Sequence, residues 1–268
     1  MRIVSIDPDP VHELEYLDAA PRSGTQLRRL PLLRGVAEGI PRELDALLVC
    51  SDLQGRWRLS AGDGTLLLLG EVLAAEYAAL AELEVVPAPA FTGVVLAGDL
   101  YAAPGADKMG ATGDVRSVWR AFAAGFRWVA GVAGNHDLFG KGKEAESFAR
   151  EPGVNLLDGR SVGLDGLKIA GVGGICGNGN KPNRRALEDF IAAARQCVAS
   201  RPDLLVLHEG PDGGERGLRG NVALREALDG CRPVVICGHV HWDRPLVTLP
   251  RGTQVLNVDA RVVILERA

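Results

Sequence analysis

The nine residues 131–139, GVAGNHDLF, set an amide, an imidazole and a carboxylate at the end of a buried run. Apolar residues 126–132 read as a strand, which stops at Gly134, just before Asn135, His136 and Asp137. Polar groups against a core are unfavourable unless they have partners. This placement fits the carboxyl edge of an α/β sheet, where ligand crevices form. It fits equally a polar turn that caps the next segment. Other strand ends tip the balance. Residues 44–50 run into Ser51-Asp52-Leu53-Gln54-Gly55, and 93–97 into Gly98-Asp99. Residues 204–207 run into His208, and 234–237 into Gly238-His239-Val240-His241. The chain has five histidines, and only His12 lies away from these ends. Carboxylate, imidazole and amide oxygen together form the donor set of a mixed site for divalent first-row metals. The Walker A loop is absent, and the one G-x-S-x-G, residues 159–163, falls among short strands divided by Asp-Gly turns rather than at the strand-to-helix turn of a nucleophile elbow.

Composition narrows the field. With 268 residues, 47% of them hydrophobic and 24% charged, the chain can build a substantial core. A net charge of −4 gives no global basic field for nucleic acid, and 5% aromatic residues make a poor stacking platform. Nucleic acid as a substrate nevertheless stays open. Asp7 and Asp9 interrupt any signal-peptide core, and Glu71, Glu76 and Glu82 interrupt the longest apolar stretch, so no membrane span is expected. The five cysteines show no C-x-x-C pair, which points to a reducing cytoplasm, with Cys50 and Cys237 as small buried hydrophobes.

Element by element, residues 1–6 predict a strand and 7–23 a loop with room for a short helix. Leu27, Leu30, Leu33, Val36 and Ile40 recur near helical spacing, predicting a helix over 25–40 broken at Pro31. Thr65 is the expected cap of a helix reaching about Leu83, and Asp114 of one reaching about Gly125. Residues 101–113 and the Gly- and Asn-rich 173–183 read as loops, and 184–200 and 221–228 as helices. Short strands over 154–157, 161–164 and 168–172 are divided by Asp-Gly turns, and three more close the chain over 246–249, 254–258 and 262–265. No repeat or linker divides the chain, so one domain over 1–268 is expected, with 1–44 as an extension packed on it.

The ordered series D-x-Q, GD, GNHD, H and GHxH, from Asp52 to His241, resembles the calcineurin-like metallophosphoesterases. The resemblance implies a four-layer α/β/β/α sandwich with two mixed β-sheets and a metal site at the carboxyl ends of the strands. It implies that Asp52, Gln54 and His241 bind a first metal, that Asp99 bridges two metals, and that Asn135, His208 and His239 bind the second. It places His136 against the substrate. The chemistry agrees: two ions about 3.5–4 Å apart clamp a phosphoryl group and hold a hydroxide in line with it. His136 is then a candidate acid for the leaving oxygen, with Asp137 either orienting it or capping a helix. The implied activity is a metal-dependent phosphoesterase, cleaving a phosphodiester or phosphomonoester through a metal-bridging hydroxide. The alternative is an interaction module that keeps the fold without catalysis, but such a module has no need of four site histidines.

The chain departs from the family pattern at Gln54, where histidine is usual. An amide oxygen is harder than imidazole nitrogen and favours manganese or magnesium over zinc, so two divalent ions, manganese first, with iron, zinc, magnesium or nickel as alternatives, are expected. GDLYA and GNHD differ from the protein Ser/Thr phosphatase pattern and point to the broader phosphodiesterase or nuclease-like branch. The expected partner is a small phosphorylated substrate or nucleotide. Arg56, close behind the first motif, is either a phosphate contact or a solvated surface residue. Lys181, Arg184 and Arg185 are a candidate phosphate clamp, or else a helix start that happens to be basic. Tyr101 and Trp242 either pack against an apolar leaving group or belong to the core or rim.

Overall fold

The computed structural model describes residues 1–61 and 65–268. Two mixed sheets stack face to face. The nine-stranded sheet runs, edge to edge, Val154–Leu156, Trp128–Gly131, Thr92–Leu96, Ala46–Ser51, Arg261–Arg267, Thr25–Glu38, Arg2–Ala19, Arg56–Ala61 and Thr65–Leu68. The six-stranded sheet runs Arg160–Leu164, Leu167–Val172, Leu204–Glu209, Val234–Gly238, Gln254–Asn257 and Leu246–Thr248. The strands that carry the motifs pair in parallel within each sheet, so their carboxyl ends come to one edge.

Alternation along each strand explains the layers, since successive side chains point to opposite faces. Leu47 and Val49 meet Ile169, Val206 and Ile236 of the other sheet, while Leu48 and Cys50 face the helices Leu69–Glu82 and Arg116–Gly125. Leu205 and Val235 face the helices Leu187–Ala199 and Val222–Leu228. The result is the expected four-layer α/β/β/α sandwich. Cys50 and Cys237 are buried and unpaired. No helix among the described residues is long and apolar enough to cross a membrane.

The largest departure is at the amino-terminal end. Residues 25–40 do not form a helix, nor is 7–23 a loop. Arg2–Ala19 and Thr25–Glu38 form a long antiparallel hairpin with irregular register near Pro10. It stands inside the nine-stranded sheet, between Arg261–Arg267 and Arg56–Ala61, rather than packed on it as an extension. Leu30 and Leu32 face the helix layer, whereas Leu33 and Ala37 face the other sheet. A strand covered on both faces loses its apolar-polar alternation. The spacing that imitates a helix mixes residues of two buried faces, such as Leu30 and Leu33, with the exposed Leu27.

Smaller corrections follow. Thr65 belongs to the strand Thr65–Leu68. The helix begins at Leu69, where Glu71 Oε2 accepts the Leu68 N–H at 2.9 Å. The helix Arg116–Gly125 is capped at Val115, not at the expected Asp114, whose Oδ1 accepts the Arg116 N–H at 3.0 Å from one residue further out. The helix expected from 184 starts at Leu187, with acidic Glu188 and Asp189 in its first turn, as its dipole favours. Arg184–Arg185 instead pairs with Ile175–Cys176.

Candidate metal centre

Each motif residue emerges where a central strand stops and the backbone turns. Asp52, Asp99 and His239 all have left-handed backbones, with φ of 54°, 55° and 68°. Such conformations are disfavoured for residues with a Cβ and persist where neighbouring bonds fix them. Here Ser51 Oγ and the His239 N–H both donate to Asp52 Oδ2, at 2.6 and 2.8 Å. The motif glycines let the strand ends close up. A Cβ on Gly134 would stand 2.0 Å from Asp99 Oδ1, and one on Gly238 would stand 2.3 Å from Asp52 Oδ2.

The inner group is Asp99, Asn135, His208 and His239. Asp99 Oδ1 accepts the His136 N–H at 2.8 Å, and its Oδ2 accepts from Gln54 Nε2 at 3.0 Å. His208 is fully buried. Its Nδ1 lies 2.7 Å from the Ala97 carbonyl, which makes Nδ1 the proton-bearing atom. Its Nε2 points to Asn135 Oδ1 at 3.1 Å and Asp99 Oδ2 at 3.4 Å. Asp99, His208 and His239 each bring a donor atom within 4.8 Å of the others. Burial pulls the His208 imidazole down, but the Asp99 carboxylate outweighs it and carries it up to about 10. Burial pushes Asp99 up, and the His208 charge more than reverses that, leaving it lowered. Burial and the His208 charge lower His239. These inward-facing oxygens and Nε2 demand a positive charge between them. A divalent ion fits that demand with these donors.

The outer group is Asp52, Gln54 and His241. Asp52 is pushed well up by burial and by the Asp259 and Asp99 carboxylates, against the opposing pull of His208. The His241 side chain is 62% exposed and lies apart from the inner group, with Nδ1 at 3.0 Å from Asp259 Oδ2. All three residues line the cleft of about 380 Å³ that also holds Asp99, His136 and His239.

Asp137 has neither of the expected roles. Its carboxylate accepts the N–H groups of Asp99, Leu100 and Gly134, each at 2.8 Å, and so straps two strand ends together. Burial and the Asp99 charge still raise it to about 6. The His136 ring contacts Thr112 Oγ1 through Nδ1 at 3.2 Å.

The expected phosphate contacts lie elsewhere. Arg56 is buried, donating to the Ala102 carbonyl at 2.7 Å and the Leu66 carbonyl at 2.7 Å, so it ties the neighbouring hairpin to the loop behind Asp99. Lys181, Arg184 and Arg185 do not line the cleft, and Arg185 pairs with Asp158 at 2.8 Å. The loop they border serves the site differently. Asn183 Nδ2 donates to the Gly134 and Asp137 carbonyls at 2.9 and 2.8 Å, bracing the GNHD turn. Tyr101 lines the cleft, whereas Trp242 is core, donating to the Arg219 carbonyl. Lys108, Arg28, Tyr16 and Asp259 line the cleft without having been picked out in sequence. Asp259 had a signal: it follows the apolar run 254–258, as Asp52 and Asp99 follow theirs.

The family model for calcineurin-like phosphoesterases matches residues 46–243. No curated protein matches the chain in sequence. Among solved structures, the chain is similar to TT1561 of Thermus thermophilus, with a TM-score of 0.57 and 15% identity over 81% of this chain and 90% of that one. A 5'-nucleotidase precursor, also from Thermus thermophilus, aligns with a TM-score of 0.45 and 13% identity over 80% of this chain. This chain spans 48% of that protein's length.

Proposed function

The chain belongs to the calcineurin-like phosphoesterase family, and on that premise we propose that it hydrolyses a small phosphorylated substrate, a phosphodiester or phosphomonoester such as a nucleotide derivative, with two divalent ions. The cluster of buried Asp99 and His208 with half-buried His239, facing a cleft of about 380 Å³, carries this reading. In it, Asn135, His208 and His239 hold the inner ion, Asp52, Gln54 and His241 the outer one, and Asp99 reaches both. When bound, the ions supply Lewis acidity to the phosphoryl oxygens and an activated water.

The chain's own residues supply the rest. The Ala97 carbonyl keeps the proton of His208 on Nδ1 and leaves Nε2 to donate. The three N–H bonds to Asp137 fix Asp99 and the GNHD turn, so Asp99 is set before any ligand arrives. His136 follows Asn135 directly, lines the cleft and is steadied by Thr112, which suits it to protonate a leaving oxygen. Lys108 on the opposing loop suits a phosphate oxygen.

Hydrolysis of an aryl phosphodiester and an aryl phosphomonoester, with and without manganese, tests the reading. Metal-dependent turnover that a chelator abolishes is expected, with about two ions per chain by elemental analysis. Full activity after prolonged dialysis against chelator overturns the metal mechanism. No metal uptake even after reconstitution favours a non-catalytic module instead.

A further inference from the structure

The outer group has a support beyond the span shared with the family, which ends at residue 243. The turn after Gln254–Asn257 carries Asp259, bridged in parallel to Ser51 beside Asp52. Asp259 Oδ2 stands 3.0 Å from His241 Nδ1. Arg261 Nη2 lies 3.2 Å from each His241 ring nitrogen and so is aimed at neither lone pair in particular. Its guanidinium is fixed by the Trp242 carbonyl at 2.6 Å and the Asp259 carbonyl at 3.3 Å. His241 and Asp259 line the metal cleft, whereas Arg261 lines the adjacent hollow on the hairpin side, so the ring stands between the two.

We propose that Asp259 is a positioning residue for the outer ion: it takes the Nδ1 hydrogen of His241 and thereby leaves Nε2 as the lone-pair donor to the cleft, with Arg261 backing the ring. The inference rests on His241 serving that ion, as assigned above. Which imidazole nitrogen binds is set by the hydrogen bond the other one makes. For a ring this exposed, an acceptor is the means of setting it. The dependence is greater here than in a site with two imidazoles, because Gln54 brings no second ring to the outer group. Asp259 acts through His241 and does not touch substrate.

Nitrogen-15 NMR of the metal-free protein at about pH 9, where an ordinary imidazole is neutral, reads the His241 tautomer directly. The expected state is Nδ1–H in the parent and in Asp259→Asn, which keeps an acceptor oxygen, with loss of that preference in Asp259→Leu. Manganese titration of the same proteins should show the second equivalent weakened about 10–100-fold in Asp259→Leu, with the first unchanged. A parent ring in the Nε2–H state overturns the proposal, and so does an Asp259→Leu protein that binds both ions as the parent does. Loss of the second ion with an unchanged tautomer overturns it in favour of Asp259 as a direct ligand. A parent that takes up no metal sinks the phosphoesterase reading, while the tautomer measurement still decides whether Asp259 governs His241.

Discussion

The inner and outer groups of the cleft share one edge of the fold but differ in how much the bare chain has already fixed. His208 is fully buried, its Nδ1 anchored on a backbone carbonyl, while the His241 side chain is 62% exposed and anchored on another side chain. Asp99 is held by the His136 N–H on its carboxylate and by Asp137, which accepts its own N–H, whereas Gln54 reaches Asp99 through a flexible amide. Preorganisation by backbone and burial leaves little conformational entropy to lose when a ligand binds, and preorganisation by exposed side chains leaves more. The inner group should therefore bind first and tightest, and the outer group should be where affinity and metal choice are adjusted.

The largest expected effect erases the contrast. With Asp99 serving both positions, as proposed, Asp99→Ala should release both ions and lower activity by about 10³-fold or more, in keeping with several kcal/mol of charge stabilisation. Calorimetric manganese titration alongside turnover checks this. His208→Ala and His241→Ala should then separate the halves, the first emptying the inner position and the second weakening only the weaker equivalent. Equal losses from the two would mean that the halves do not differ as their burial suggests.

A smaller effect separates chemistry from metal binding. His136 lines the cleft, and its backbone N–H rather than its ring is what holds Asp99. His136→Ala keeps that N–H, so metal stoichiometry should be unchanged while kcat falls about 10²–10⁴-fold, the range for a lost proton donor. The loss should shrink on a substrate whose leaving group needs no proton, such as nitrophenolate. An emptied site, or an equal loss on every leaving group, would remove His136 from the acid role.

The same division governs what the sequence made legible. Motif residues at the ends of buried strands stood out because a polar cluster there is costly without a purpose, and strand ends in a parallel sheet share an edge. Side-chain partners were harder to read. Asp137 looked like a companion of His136 because it is adjacent in sequence, but its three N–H donors come from Gly134 and from the distant Asp99 and Leu100. Arg184 and Arg185 looked like a phosphate clamp because they border a glycine-rich loop, and a two-residue pairing with Ile175–Cys176 placed them off the cleft. The hairpin Arg2–Ala19 and Thr25–Glu38 escaped because residues of two buried faces and the exposed Leu27 together fall into a helical spacing. Contacts between segments far apart in sequence leave no local period to detect.

The finest adjustment of the contrast lies at Gln54. Its Nε2 donates to Asp99 Oδ2 at 3.0 Å, so in this arrangement the amide nitrogen, not the oxygen, faces the Asp99 carboxylate. Serving as a ligand requires the amide to turn over and offer its oxygen, because an amide NH2 has no lone pair for a metal. That rotation is local to a half-buried side chain. Gln54→His replaces a neutral oxygen donor by an imidazole nitrogen, which suits zinc and iron better than manganese. The variant should tighten the outer position by about tenfold and shift its preference toward zinc or iron, with the inner position unchanged, as read by competitive metal titration. Gln54→Ala decides the role of the amide itself. If it binds the second manganese as tightly as the parent, Gln54 only steadies Asp99, and the outer ion rests on Asp52, Asp99, His241 and water.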